Sequence, residues 1–127
     1  MNNDQPIKPA AGLKRIFKAL FYSLDGLKAA YTNEPAFRQE TLLGLPLIVL
    51  AMFLPVTAMA KALMIGSILL VLIVELINSG IEAIVDRISL ERHELSKRAK
   101  DVGSAAVLIA LINVLVVWTL LLMSHYS

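Results

Sequence analysis

Five polar side chains, Glu75, Asn78, Ser79, Glu82 and Asp86, recur at helical spacing in a stretch that is otherwise apolar. At about 100° per residue they share an arc of roughly 100°, a stripe about 16 Å long. A carboxylate at the centre of a bilayer costs about 2.5–3.5 kcal/mol, so one found there is usually functional and rarely faces lipid. Two or three on one face repel one another unless a cation or a basic side chain answers them. Glu34 and Glu40 add acid at a similar depth, and Lys97, Arg98 and Lys100 flank the stripe. A divalent metal meeting a polyphosphate would account for that mixture. Hard oxygen ligands suit magnesium, which shares itself between one or two carboxylates and substrate phosphates. The same residues admit two other readings. Buried glutamates also serve proton- and ion-translocating oligomers, and Asn78 and Ser79 can hydrogen-bond across a helix interface. The stripe runs out to the cytoplasmic edge beside Lys100 and Asp101, which favours catalysis: a carrier needs one mid-membrane acid and no phosphate-binding neighbour.

Other chemistries find little support. There is no G-x-x-x-x-G-K-[ST] loop, no G-x-G-x-x-G, and neither H-R-D nor D-F-G, so a P-loop or soluble-kinase mechanism is unsupported. Cysteine is absent, and His93 and His125 are too few and too far apart for a zinc site. A formal charge of +2 is too small for a general nucleic-acid binder.

The elements that carry these residues follow from composition. The 127 residues are one domain's worth of chain, 57% hydrophobic and only 17% charged, against about 25% charged in an average soluble domain. So small a chain cannot hide that much apolar surface within itself. Lipid must cover it. Residues 41–60 carry no charge between Glu40 and Lys61, residues 62–74 are again uncharged, and residues 102–124 form the cleanest run, with Trp118 and Tyr126 as interface anchors. Pro46 and Pro55 lie in the first run, and Pro55 is the expected end of its helix. Lys8, Lys14, Arg15, Lys18, Lys28, Arg38, Arg87, Arg92, Lys97, Arg98 and Lys100 fall on one side of these spans and Lys61 alone on the other. That side is cytoplasmic. The expected arrangement is an all-α membrane protein: a flexible tail over 1–11, an amphipathic surface helix over 12–31, and spans at about 35–54, 58–87 and 97–124, N-terminus in and C-terminus out. The surface helix is read from Leu13, Ile16, Phe17, Leu20, Leu24, Leu27 and Tyr31 on one face and Lys14, Lys18, Asp25 and Lys28 on the other. Ala99, Gly103, Ala106 and Ala110 are spaced for close helix packing, and Asn113 for an interhelical hydrogen bond.

The run Glu75-Leu-Ile-Asn-Ser-Gly-Ile-Glu82-Ala-Ile-Val-Asp86-Arg87, followed by Glu91-Arg-His-Glu-Leu-Ser-Lys-Arg-Ala-Lys100-Asp101, resembles the signature of prokaryotic diacylglycerol kinase, a small integral-membrane lipid kinase. The likeness extends to Arg15, Tyr22-Ser23 and Asn33-Glu34-Pro-Ala-Phe37-Arg38-Gln39-Glu40, and covers residues 12–126. It implies a homotrimeric helical bundle in the bacterial inner membrane, with the C-terminus periplasmic and active sites shared between chains. The implied activity is phosphorylation of diacylglycerol by ATP with magnesium, through direct in-line transfer to phosphatidic acid. Undecaprenol kinase, which shares the glutamate core, is the nearest rival.

By the same resemblance Glu75 is the general base, Asn78 supports the centre, and Glu34 and Glu82 hold the metal. Arg15, Tyr22, Glu34, Glu82, Glu91, Arg92, His93, Lys100 and Asp101 contact nucleotide. The lipid site takes in Arg15, Glu75 and Ser104, together with three interfacial segments. These are Ala19, Leu20, Phe21, Tyr22, Ser23 and Leu24; then Lys28, Ala29, Ala30 and Tyr31; then Ala36, Phe37, Arg38, Gln39 and Glu40.

Overall fold

A computed structural model describes residues 9–88 and 90–127, with side chains described from residue 12. Four helices follow in order: α1 (Pro9–Asn33), α2 (Pro35–Phe53), α3 (Ala58–Ile88) and α4 (Glu94–Tyr126). Of the tail expected over 1–11, residues 1–8 lie outside the described residues, and Pro9 opens α1.

The helix ends follow from local chemistry. Pro35 begins α2, where its fixed φ suits a first turn and its missing N–H is not needed. Pro46 lies inside α2 without ending it. Pro55 does end it: Leu54, the residue before, is extended at φ −66° and ψ 146°, as the pyrrolidine ring demands of its predecessor. The Thr57 hydroxyl accepts from the Ala60 N–H at 3.1 Å and so caps the start of α3. Lys61, the one cation at that end, donates to the last-turn carbonyl of Met52 in α2 at 2.8 Å. At the other corner His93 adopts extended angles and its Nδ1 accepts from the Leu95 N–H at 3.1 Å, so α4 begins at Glu94, ahead of Lys97.

Helices α2, α3 and α4 are long and apolar enough to cross a membrane. Each packs on its neighbour in the chain. Gly44 lies against Ile68 and Lys61 against Met52, which makes α2 and α3 antiparallel. Trp118 donates its indole N–H to the Met64 carbonyl at 3.2 Å, while Lys100 meets Asp86, so α3 and α4 also run in opposite directions. The inward face of α3 is Ala60, Met64, Ser67, Ile68, Val71, Glu75 and Asn78. Most other apolar side chains face outward, as lipid-covered helices require.

Candidate functional site

The polar stripe of α3 continues its buried apolar face. Glu75 is 5% exposed and Asn78 7%, Ser79 and Glu82 are half-buried, and Asp86 is exposed. Burial therefore declines along the stripe from Glu75 to Asp86, and only the Glu75 carboxylate is enclosed in the helix packing. Helix α2 brings Glu34, its N-cap residue, and Glu40 to the same place. Glu75 lies within electrostatic reach of Glu82 and Glu34, and Glu40 within that of Glu75. Among the described residues no basic side chain pairs with Glu34, Glu75 or Glu82.

Lys100 lies within electrostatic reach of Glu82, and the negative charge that remains suits a cation. No group of three or more carboxylate or imidazole ligands converges on one point among the described residues, so an all-protein metal cage is not built here. Two glutamates with phosphate oxygens are what magnesium accepts, and Glu34 and Glu82 fit that donor set.

Asn78 donates from Nδ2 to Glu82 Oε1 at 3.4 Å, a long bond one turn along α3. Its Oδ1 is buried without a partner, as are Ser79 Oγ, Glu40 Oε2 and Thr41 Oγ1. Buried polar atoms are nearly always paired, so each of these atoms is one that a ligand, a water or a neighbouring group would satisfy. The Asn78 carboxamide occupies the space beside Gly103 of α4 that a Cβ there would fill.

Where α3 leaves for α4, a cavity of about 570 Å³ opens. Glu91, Arg92, His93, Lys100 and Asp101 all line it, so the corner brings together every nucleotide contact expected from this part of the chain. Asp86 of the polar stripe and Lys97 beside it line it too, as does Ser96, to which the sequence assigns no part in the site. Lys100 Nζ reaches Asp86 Oδ1 at 2.7 Å and Lys97 Nζ reaches Asp101 Oδ2 at 2.6 Å. The second pair is legible as i,i+4 spacing; the first spans fourteen residues and depends on how the helices meet. His93 spends its Nδ1 on the cap of α4, which fixes the ring and leaves Nε2 as its other polar atom.

The single chain does not bring Arg15 and Tyr22 to this cavity. Both stand exposed on α1, as do Ala19, Leu20, Phe21, Ser23, Leu24, Lys28, Ala29 and Tyr31. Ala30 and Phe37 are buried where α1 meets α2. Arg38 donates to the Tyr31 and Thr32 carbonyls at 2.8 and 3.3 Å, closing the end of α1. Ala36, Gln39 and Ser104 are exposed.

Residues 21–122 match the family described as prokaryotic diacylglycerol kinase. The chain is similar to the diacylglycerol kinase of Escherichia coli, with 56% identity over 116 residues, 91% of this chain and 95% of that protein. Against the diacylglycerol kinase of Pseudomonas aeruginosa the identity is 55% over 121 residues, covering 95% and 98%. Against that of Helicobacter pylori it is 48% over 125 residues, covering 98% of each.

Proposed function

The chain belongs to the prokaryotic diacylglycerol kinase family, and on that premise we propose that it moves the γ-phosphate of ATP to the primary hydroxyl of diacylglycerol, making phosphatidic acid at the cytoplasmic membrane face. The observation that carries this reading is the burial of Glu75 on the inward face of α3, with Glu34 and Glu82 in electrostatic reach.

Phosphoryl transfer asks mainly for positioning and charge neutralisation. Glu75 takes the proton of the lipid hydroxyl as its oxygen bonds to the γ-phosphorus; the bond to the β-phosphate oxygen breaks and ADP leaves. Glu34 and Glu82 would hold a magnesium ion, which when bound would neutralise phosphate charge. Asn78 orients Glu82 from the next turn of α3. Lys100, once drawn from Asp86, supplies a point charge to the transferring phosphate, and Arg92, His93 and Asp101 hold the nucleotide in the corner cavity. The apolar face of α1 lies along the inner leaflet and guides the lipid, with the N-terminus cytoplasmic and the C-terminus periplasmic. Three chains assemble, and each site draws on two of them.

Purified protein in lipid vesicles, given radiolabelled ATP with diacylglycerol or undecaprenol in separate reactions, tests the substrate. Label in diacylglycerol is expected; label in undecaprenol alone transfers the activity to that alcohol, and label in neither removes the kinase reading. Glu75→Gln should lower turnover by about 10²- to 10⁴-fold, the range general bases supply, with the helices and assembly intact. Near-normal turnover would exclude Glu75 as the base.

A further inference from the structure

We infer that Gly103 of α4 is a positioning residue for the reaction: its missing side chain forms the notch that holds the Asn78 carboxamide with its N–H aimed at Glu82. The inference rests on Glu82 as a magnesium-holding residue and assigns a role to the helix facing it.

A Cβ built on Gly103 would collide with Asn78 Oδ1 and lie 3.1 Å from Asn78 Cγ and 3.8 Å from its Cβ, and these are its three nearest atoms outside its own helix. The closest contacts of the glycine are therefore all with one side chain. Asn78 is 7% exposed and Gly103 is buried, so the amide has little room to move sideways. With Oδ1 seated in the notch, Nδ2 points along α3 to Glu82 Oε1 at 3.4 Å. Oδ1 has no donor. Its place is set by shape instead of by a hydrogen bond, and only a glycine on α4 gives that shape. A methyl at 103 meets the end of a rotatable side chain and not backbone. The helices can stay together while the amide swings, at the expense of its bond to Glu82. Because the pocket around the amide is tight, that swing costs some stability, and it costs the chemistry more. The neighbouring glycines differ: Gly66 and Gly80 of α3 have nothing within 4 Å of an added Cβ.

The test is Gly103→Ala, alone and with Asn78→Ala, beside Glu82→Gln and a Gly80→Ala control. Two quantities are read: turnover, and binding of Mn²⁺ by electron paramagnetic resonance with a non-hydrolysable ATP analogue. Gly103→Ala is expected to lower turnover on the order of 100-fold and to weaken Mn²⁺ binding by about 10- to 100-fold, as loss of a residue supporting a metal ligand does. Gly80→Ala matches the unmodified chain. In the Asn78→Ala background, adding Gly103→Ala changes either quantity by no more than about two-fold, because the two residues act as one unit. Should Gly103→Ala alone fail to fold, the double variant folding normally upholds the notch, and its failing too overturns it. Mn²⁺ binding that is weak in Glu82→Gln but normal in Gly103→Ala overturns this inference alone. Normal binding in Glu82→Gln overturns the role of Glu82 and the inference with it.

Discussion

Lys100 is held by Asp86 at 2.7 Å, and both side chains are half-exposed. An ion pair so open to solvent adds little to stability, but it governs where the ammonium group points. If Lys100 binds the nucleotide, incoming phosphates compete for it with the Asp86 carboxylate, in a cavity that Asp86 itself lines. Asp86→Asn removes the competitor and one negative charge beside an anion site. It should lower KM for ATP by a few-fold and leave the melting temperature nearly unchanged; a raised KM would show that Asp86 instead presents Lys100 to the nucleotide. Steady-state kinetics at low ionic strength, where such charges are least screened, give the clearest reading. Glu75 differs from Asp86 by burial alone: at 5% exposure, with two further glutamates in reach, it is the acid of the stripe set apart from water.

Helix contact, more than capping, fixes how the acids of α2 face those of α3. Membrane helices gain no hydrophobic drive against one another, so close approach at small residues matters. Gly44 on α2 is one such point: an added Cβ would stand 2.9 Å from Ile68 Cγ2 on α3. Gly44→Ala should destabilise the protein by about 1–3 kcal/mol, the usual cost of overpacking, and Ile68→Ala in the same chain should recover part of it. Thermal unfolding in detergent measures both; an unchanged midpoint for Gly44→Ala would show that the α2–α3 contact is slack. Helix α1 is built differently. Leu13, Ile16 and Phe17 are all more than 60% exposed, while Tyr31 near the α2 corner is 39% exposed. Only the C-terminal end of α1 is held by the rest of the chain, where Ala30 and Phe37 are buried and Arg38 closes the helix.

Outward apolar faces dominate the whole molecule, with Phe53 81%, Leu43 70% and Leu115 68% exposed. Lipid and neighbouring chains are what such faces are made for. The position of α1 bears on assembly: Arg15 and Tyr22 do not line the cavity formed by Arg92, His93 and Lys100 of their own chain. If those two residues bind nucleotide, a neighbouring chain's α1 must bring them. Co-assembling inactive Arg15→Ala chains with inactive Glu75→Gln chains should restore part of the lipid kinase activity, since some sites then combine the intact α1 of one chain with the intact α3 of another. Activity that stays at the level of the separate variants would mean that each chain supplies its own site.

Much of this protein is written in local sequence. Apolar runs too long for a small core fix three helices fit to span a membrane, Pro35 and Pro55 bound the first of them, and the spacing of Glu75, Asn78, Ser79 and Glu82 fixes a single polar face. These follow from properties that neighbours in sequence share: helical period, the fixed φ of proline and the cost of charge in hydrocarbon. The partners across helices are another matter. That Asp86 would hold Lys100, that Asn78 would sit in the notch of Gly103, and that Trp118 would reach the Met64 carbonyl depend on which faces of α3 and α4 meet and at what height. Periodicity gives each helix its inward face but not its register against the next. Register is settled only when side chains of particular shape pack together in three dimensions.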